Sequence, residues 1–286
     1  MFESFELSTV DVGEAEIRVR HAGSGPPLLL LHGNPQTHAM WHRIAPRLAE
    51  DFTVVAADLR GYGDSSKPPT TPDHAPYSKR EMAKDQISVM RHFGFERFNV
   101  CGHDRGGRCA YRMALDHPER VAKLAVLDII PTGEAFRRAD MAFALGYWHW
   151  FFYAQPHDVP ERFLALDPDE HLLEGRRHLF APEAFEDYLR CFQNPETIHA
   201  ICEDYRAGAT LDFAQDEEDR LAGRRIGCPV LALWGRRNFL EEWYDVMDIW
   251  RGWADDTRGR ALDCGHYLPE EAPEETYAEL HAFFAG

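Results

Sequence analysis

The feature that most constrains the fold is a regular alternation of strand-like and helix-like segments in the first half of the chain. Short runs that predict strands occur at Glu16–Arg20, Pro27–Leu31, Thr53–Asp58, Phe98–Gly102 and Ala122–Ile130. Helical patterns lie between them at Trp41–Ala49, Ser78–Phe93 and Gly106–Asp116. Strands that alternate with helices favour an α/β fold, with a mostly parallel sheet and helices on both faces.

The alternation stops between about Gly133 and Leu211. Aromatic-rich helical segments replace it at Tyr147–Tyr153, Ala184–Phe192 and Thr197–Tyr205. Strand signals resume at Pro229–Trp234 and Gly259–Cys264. A helical insertion of this kind would cover the carboxyl ends of the strands, where open α/β sheets bind ligands. We therefore predict a core of residues 1–133 and 212–286 and a helical cap of residues 134–211.

Charge and motif content exclude several classes of function. The 286 residues carry a formal charge of −17, which disfavours nucleic acid and anionic membranes as partners. The sequence has no apolar stretch of the roughly 18 residues that would span a bilayer, and its first residues do not resemble a signal peptide, so a cytoplasmic protein is expected. The six cysteines form no C-x-x-C pair and the histidines no H-E-x-x-H motif, so no metal is expected. An anionic substrate would need cations close to its binding site.

The segment Gly102-His103-Asp104-Arg105-Gly106 lies between a predicted strand and a predicted helix. This is the setting of a nucleophile elbow, whose usual pattern is G-x-S-x-G, and here the middle residue is Asp104. A carboxylate in this position can attack carbon and form a covalent ester, which water must then cleave. The alternative is an aspartate that only stabilises a turn. The context favours a nucleophile.

The base that activates this water is predicted to be His266, which follows the last strand signal in Asp263-Cys264-Gly265-His266-Tyr267. Its position fits the chain order of nucleophile, acid and histidine. The orienting acid is less obvious, because the loop after Pro229–Trp234 carries Asn238 where a carboxylate would be expected. Asp128 ends the preceding strand, so we predict Asp128 as the acid, with a loop-capping aspartate as the alternative. The backbone N–H groups of Asn34 and Arg105 are the expected oxyanion-hole donors.

Taken together, these motifs resemble the fluoroacetate dehalogenase family of the α/β-hydrolase fold. The resemblance rests on Gly102 to Arg108, Asp128, the pair His149-Trp150, Cys202 to Arg206, and Leu262 to Tyr267. It covers nearly the whole chain. It implies hydrolysis of a small haloacid such as fluoroacetate or chloroacetate to glycolate and halide, without metal or organic cofactor, and commonly a homodimer.

The resemblance also implies roles for five further side chains. Arg105 and Arg108 would hold the substrate carboxylate; they are three residues apart at a helix start, so they can share a face. Without them, a carboxylate about 4 Å from Asp104 would be repelled by ~4 kcal/mol at an effective dielectric constant of about 20. The alternative for this pair is surface salt bridges. The predicted halide-binding donors are His149, Trp150 and Tyr205. From composition alone, the aromatic segment around Trp150 would be core of the cap.

Three other functions remain open. Asn34 in His32-Gly33-Asn34-Pro35 is common in haloalkane dehalogenases, although these normally carry an indole directly after the nucleophile, where this chain has Arg105. Asn34 leaves the preference between fluoride and chloride open. An epoxide hydrolase would need two cap tyrosines, Tyr205 with either Tyr147 or Tyr153. A non-enzymatic binding protein is disfavoured because all three catalytic positions are filled.

Overall fold

The apolar runs of the first half form the central strands of an eight-stranded sheet in the computed structural model, which describes residues 1–172 and 176–286. The strands are β1 (Glu6–Asp11), β2 (Glu16–Ala22), β3 (Pro27–Leu31), β4 (Thr53–Ala57), β5 (Phe98–His103), β6 (Val121–Leu127), β7 (Val230–Gly235) and β8 (Thr257–Leu262). Their order is β1-β2-β4-β3-β5-β6-β7-β8. The pairs β1/β2 and β2/β4 are antiparallel and all other pairs are parallel. The predicted mostly parallel sheet is confirmed.

Helices connect and cover the strands. In chain order they are α1 (Ala45–Leu48), α2 (Lys79–His92), α3 (Asp104–Asp116), α4 (Thr132–Arg137), α5 (Met141–Gly146), α6 (Trp148–Tyr153), α7 (Val159–Leu164), α8 (Pro168–His171), α9 (Pro182–Phe192), α10 (Pro195–Ala207), α11 (Phe213–Ala222), α12 (Phe239–Trp243), α13 (Val246–Trp253), α14 (Leu268–Glu271) and α15 (Pro273–Ala285). A π-helical turn, Gly208–Asp212, joins α10 to α11. None of the described helices is long and apolar enough to cross a bilayer.

The differences from the sequence-based prediction have local causes. The pattern does not reveal β1, because only Val10 of its residues is buried. The predicted strand at Ala122–Ile130 ends early, since Asp128 has a positive φ of 55° and turns the chain out of the sheet. The helix predicted at Trp41–Ala49 is instead a 3-10 turn, His38–Trp41, followed by the single turn of α1.

The sheet places the predicted site residues at one edge. Asn34, Asp104 and Asp128 follow the carboxyl ends of the parallel strands β3, β5 and β6. Asn238 and His266 follow β7 and β8 in the same way. These ends meet at a common edge, where ligands of α/β sheets bind.

The helical segment between β6 and β7 comprises α4 to α11, and within it α10 packs against α6, α7 and α9. Its side chains reach the carboxyl edge of the sheet, as described below. The division into a core of residues 1–133 and 212–286 and a cap of residues 134–211 stays a prediction. Its second boundary falls inside the π-helical turn.

Candidate active site

Asp104 sits at a tight turn between β5 and α3, and its backbone has a positive φ of 44°. Residues other than glycine rarely adopt this conformation, which costs on the order of 1–3 kcal/mol where it persists. Close packing supports the turn: a Cβ on Gly102 would collide with the carbonyl of Gly106. The turn therefore has the geometry expected of a nucleophile elbow, and it projects the carboxylate from the edge of the sheet.

The loop after β3 brings a backbone donor to this carboxylate. The N–H of Asn34 donates to Oδ2 of Asp104 at 3.0 Å. Gly33 makes the approach possible, because a Cβ there would lie 2.6 Å from the Cβ of Asp104. The Asn34 N–H thus faces the predicted nucleophile, and its role as an oxyanion-hole donor stays a prediction.

His266 and Asp128 form a hydrogen-bonded pair at the same edge. The imidazole Nδ1 of His266 donates to Oδ2 of Asp128 at 2.5 Å. In the neutral ring this leaves the lone pair on Nε2, as a general base requires. Burial opposes protonation of His266, but the hydrogen bond and the charge of Asp128 outweigh it and raise the pKa of this histidine.

The electrostatic environment keeps Asp104 ionised. Burial alone would raise the pKa of this carboxyl group, but the charges of His266 and Arg108 outweigh burial and hold the pKa well below its usual range. An ionised carboxylate is the reactive form of an aspartate nucleophile.

Arg108 is a buried cation in this site, with 4% of its surface exposed. Its Nη1 donates to the carbonyl of Ile130 at 3.0 Å and to the hydroxyl of Thr132 at 3.2 Å. Among residues 1–172 and 176–286, its Nε has no hydrogen-bond partner and its guanidinium forms no salt bridge, although the charge of Asp104 acts on it from a greater distance. The guanidinium stacks on the Trp150 ring, 4.4 Å from its centroid.

Arg105 is also buried, but it faces a different environment. Its Nε and Nη2 donate to the carboxylate of Asp204, at 2.9 and 2.5 Å. Asp204 also pairs with the ammonium of Lys79 and accepts from the Tyr62 hydroxyl at 2.7 Å. Burial of both arginines excludes the surface salt bridge alternative. The shared role of Arg105 in binding a substrate carboxylate stays a prediction, because its guanidinium already has a carboxylate partner.

The three predicted halide-binding side chains lie together opposite the elbow. The Tyr205 ring centroid is 5.8 Å from that of His149 and 6.3 Å from that of Trp150. Burial lowers the pKa of His149 to about 4 and raises that of Tyr205 well above its usual value. Both side chains are therefore neutral hydrogen-bond donors at neutral pH.

A cavity of about 110 Å³ joins these groups. The predicted site residues that line it are Asn34, Asp104, Arg108, Asp128, His149, Trp150, Tyr205 and His266. Arg105 is not among the lining residues. The structure thus brings the predicted nucleophile, base and acid, a buried cation and neutral hydrogen-bond donors around one small space. Within the described ranges, no three side chains are grouped so as to hold a metal ion.

Residues 26–273 match the family model of the alpha/beta hydrolase fold. A fluoroacetate dehalogenase from Burkholderia sp is 47% identical to this chain over 292 residues, covering 100% of this chain and 95% of that protein. The chain belongs to the alpha/beta hydrolase fold family. The resemblance to fluoroacetate dehalogenase indicated by the motifs is confirmed, and so is the expectation of a hydrolase.

Two other relatives show how widely this fold is shared. A solved structure from Nostoc sp PCC 7120, also an alpha/beta hydrolase, superimposes on this hydrolase with a TM-score of 0.97 at 53% identity, covering 99% of each chain. A soluble epoxide hydrolase from Corynebacterium sp. (strain C12) is 36% identical over 280 residues, covering 92% of each. Relatives with two different activities therefore share this fold.

Two groups of this hydrolase's site escape sequence reasoning. Asn238 donates its amide N–H to Oδ2 of Asp128 at 2.5 Å, although the sequence marks it only as a missing carboxylate. Asp204, which pairs with Arg105 and Lys79, lies in a segment that the motif comparison includes without assigning it a role. The position of Asp204 inside the motif Cys202 to Arg206 is the sequence signal that could have identified it as part of the site. Nothing in the sequence indicates the contact between Asn238 and Asp128.

Proposed function

We propose that this hydrolase is a haloacetate dehalogenase that converts fluoroacetate or chloroacetate to glycolate and halide. The observation that carries the proposal is the buried guanidinium of Arg108, which shares the cavity with the ionised Asp104 and forms no salt bridge among the described residues. A buried charge without a partner costs several kcal/mol, so a cavity that retains one is suited to an anionic ligand. A haloacetate carboxylate supplies that anion, and its halomethyl carbon can then face Asp104.

In the first half-reaction, an oxygen of Asp104 attacks the halogen-bearing carbon. A carbon–oxygen bond forms as the carbon–halogen bond breaks, and the electron pair leaves with the halide. His149, Trp150 and Tyr205 would donate hydrogen bonds to the departing ion, and hydrogen bonds to a charged group are worth about 1.5–3 kcal/mol each. Their neutrality at pH 7 supports this role.

In the second half-reaction, water cleaves the ester. Nε2 of His266 takes a proton from water, and the hydroxide equivalent adds to the ester carbonyl carbon. The backbone N–H of Asn34, together with that of Arg105, would stabilise the oxyanion. Collapse of the intermediate breaks the bond between the former Asp104 carbonyl carbon and the glycolate oxygen, which takes the proton from His266 and leaves as glycolate. The Asp104 carboxyl group then loses its proton to water and returns to the carboxylate.

The charge of Asp104 coordinates the two half-reactions. In the free enzyme this charge contributes to the raised pKa of His266. When Asp104 becomes an ester its charge disappears, so the pKa of His266 must fall. The imidazole is then driven towards its neutral, basic form at the stage when a base is needed.

The test is halide release from fluoroacetate and chloroacetate, measured with an ion-selective electrode, with a bromoalkane and styrene oxide as neutral controls. The proposal predicts release from the haloacetates, and none from the Asp104→Asn variant. Turnover of a neutral control without release from either haloacetate would overturn it.

An epoxide hydrolase is the second candidate, and a specific observation favours it. Tyr147, Tyr153 and Tyr205 all line the cavity, and an epoxide hydrolase needs a pair of cap tyrosines to protonate the epoxide oxygen. A neutral epoxide gives no use to the Arg108 charge, which is why we place this function second. Because Asn34 is common in haloalkane dehalogenases, the bromoalkane control in the same assay also tests for that activity.

Assembly as a homodimer, and a cytoplasmic location, belong to the same proposal. Apolar side chains of the helical segment support the homodimer, since Met141, Leu145 and Leu166 expose 78%, 73% and 81% of their surface. Sedimentation velocity of the purified protein should give a dimer mass. A monomer at micromolar concentration would contradict this part.

A further inference from the structure

The side-chain amide of Asn238 lies at a junction between the catalytic acid and the helical segment. Its Nδ2 is 2.5 Å from Oδ2 of Asp128 and 3.2 Å from the hydroxyl of Tyr147. The two amide protons can therefore serve the carboxylate and the tyrosine oxygen at once. His266 Nδ1 is also near, at 3.5 Å from Asn238 Nδ2, but that nitrogen already donates to Asp128.

A purely local role for Asn238 does not explain this arrangement. The residue occupies the N-cap position of α12, where asparagine commonly accepts a hydrogen bond from the helix backbone. Asn238 makes no such side-chain bond. Asn194 shows the contrast, since its Oδ1 caps α10 by accepting from the N–H of Glu196 at 3.0 Å. The Asn238 side chain is turned from the helix towards Asp128.

Asn238 completes the set of donors around the Asp128 carboxylate. Oδ1 accepts from the N–H of Gly235 at 2.8 Å, and Oδ2 accepts from both His266 and Asn238. Asp128 is buried, with 2% of its surface exposed. Three donors on two oxygens fix the plane of the carboxylate and so the direction of the imidazole. They also offset part of its negative charge.

We infer that Asn238 is a positioning residue for ester hydrolysis, and that its contact with Tyr147 joins the catalytic acid to the helical segment over the site. The inference rests on the Asp104 ester mechanism proposed above. Asn238 contacts neither Asp104 nor Arg108 by hydrogen bond, so the attack of Asp104 on the substrate is expected to proceed without it.

Removing the Asn238 amide should change the proton affinity of His266 in a predictable direction. With one donor fewer, the Asp128 charge acts more strongly on His266 and raises the proton affinity of the imidazole. A carboxylate in place of the amide adds a second negative charge and raises it further. The other titratable and charged groups that face His266 stay the same in the Asn238 variants, and they include Asp104, His103, His149, Arg176 and Tyr267.

Single-turnover experiments with fluoroacetate test the inference in Asn238→Ala and Asn238→Asp, with Asn194→Ala as the control for substitution of an asparagine at a helix N-cap. Fluoride release reports ester formation, and intact-protein mass reports ester decay.

In Asn238→Ala we expect ester formation within about 2-fold of wild type and hydrolysis slowed about 10-fold or more, the value of one hydrogen bond to a charged group. The pH midpoint of hydrolysis should rise from wild type to Asn238→Ala to Asn238→Asp. Tyr147→Phe should have a smaller effect, and Asn194→Ala none.

Unchanged hydrolysis and an unchanged midpoint in Asn238→Ala would overturn the inference, as would equal slowing of both steps. A wild-type enzyme that releases no fluoride would instead overturn the proposed function. The inference then still has its own readout in the resting protein. The imidazole of His266, assigned in ¹⁵N spectra by its loss in His266→Gln, should titrate at higher pH in Asn238→Ala, and an unshifted titration would refute it.

Discussion

Arg105 and Arg108 lie one helical turn apart on α3, and both are buried, yet their surroundings differ in kind. Arg105 lies at the seam between α3 and α10, where its salt bridge is with Asp204, a carboxylate that Lys79 and Tyr62 also contact. Arg108 lies in the cavity, with backbone and hydroxyl acceptors but no salt-bridge partner among the described residues. A satisfied buried ion pair maintains structure, whereas an uncompensated buried cation is available to a ligand.

The largest expected effect is a loss of stability when Asp204 is replaced at the seam between α3 and α10. Asp204→Asn removes the carboxylate between two buried cations, which should lower the free energy of unfolding by about 3–5 kcal/mol. Guanidinium chloride unfolding measures this change. Asp64→Asn is the control, because its pair with Arg190 is exposed and exposed pairs contribute about 1 kcal/mol or less. Equal effects of the two substitutions would remove the contrast between seam and surface.

Arg108→Met should act on catalysis and leave stability intact. Loss of a charge-assisted, two-point contact with the substrate carboxylate should reduce kcat/KM for haloacetates about 100-fold. The free energy of unfolding should change by about 1 kcal/mol or less, because removal of a buried charge offsets the loss of the hydrogen bonds to Ile130 and Thr132. Arg260→Met, which removes a surface arginine paired with Glu279, is the control. If Arg108→Met unfolds at a lower denaturant concentration and retains its kcat/KM, Arg108 has a structural role and does not bind the substrate.

The two regions should also respond differently to pH. In the free enzyme the pKa of His266 is raised above its ordinary value of about 6.5, and loss of the Asp104 charge in the ester lowers it. Ester hydrolysis should therefore increase with pH as the ring becomes neutral, and it should level off at a lower pH than the titration of His266 in the free enzyme. The pKa of Asp204 is lowered to about 2: burial opposes the shift, and the charges of Arg105 and Lys79 outweigh burial. Its stabilisation is therefore complete above about pH 4 and is lost only as pH falls towards 2.

A pH series of single-turnover hydrolysis, beside unfolding experiments from pH 5 to 9, separates these behaviours. The Asp204→Asn stability difference should stay constant over that range. A difference that disappears near neutral pH would show that Asp204 is not held ionised.

The smallest effect concerns the charge of the whole protein. The net charge of −17 repels an anionic substrate over distances comparable to the Debye length, about 8–10 Å at physiological salt. A non-halide salt should therefore raise kcat/KM for chloroacetate about 2-fold and leave a neutral substrate unaffected. A decrease with salt would indicate attraction by a positive surface, contrary to this account.

The sequence predicts the strands and turns that carry this site better than it predicts the contacts between the side chains of the site. The strand runs and the turn at Asp104 are local patterns, and the absence of a carboxylate at Asn238 points to Asp128. The pairing of Arg105 with Asp204 joins residues 99 positions apart, and the contact between Asn238 and Asp128 joins residues 110 apart. Periodicity carries no information on such contacts, because they depend on how the helices close over the sheet.

The most direct test of the central claim is to trap the Asp104 ester. Fluoroacetate is incubated with His266→Asn, which lacks the base for hydrolysis, and the protein is digested and analysed by mass spectrometry. The account predicts one carboxymethyl group on the peptide that contains Asp104, with one equivalent of fluoride released, and no label when Asp104→Asn is added. An unlabelled Asp104 peptide, or full turnover by His266→Asn, would contradict it.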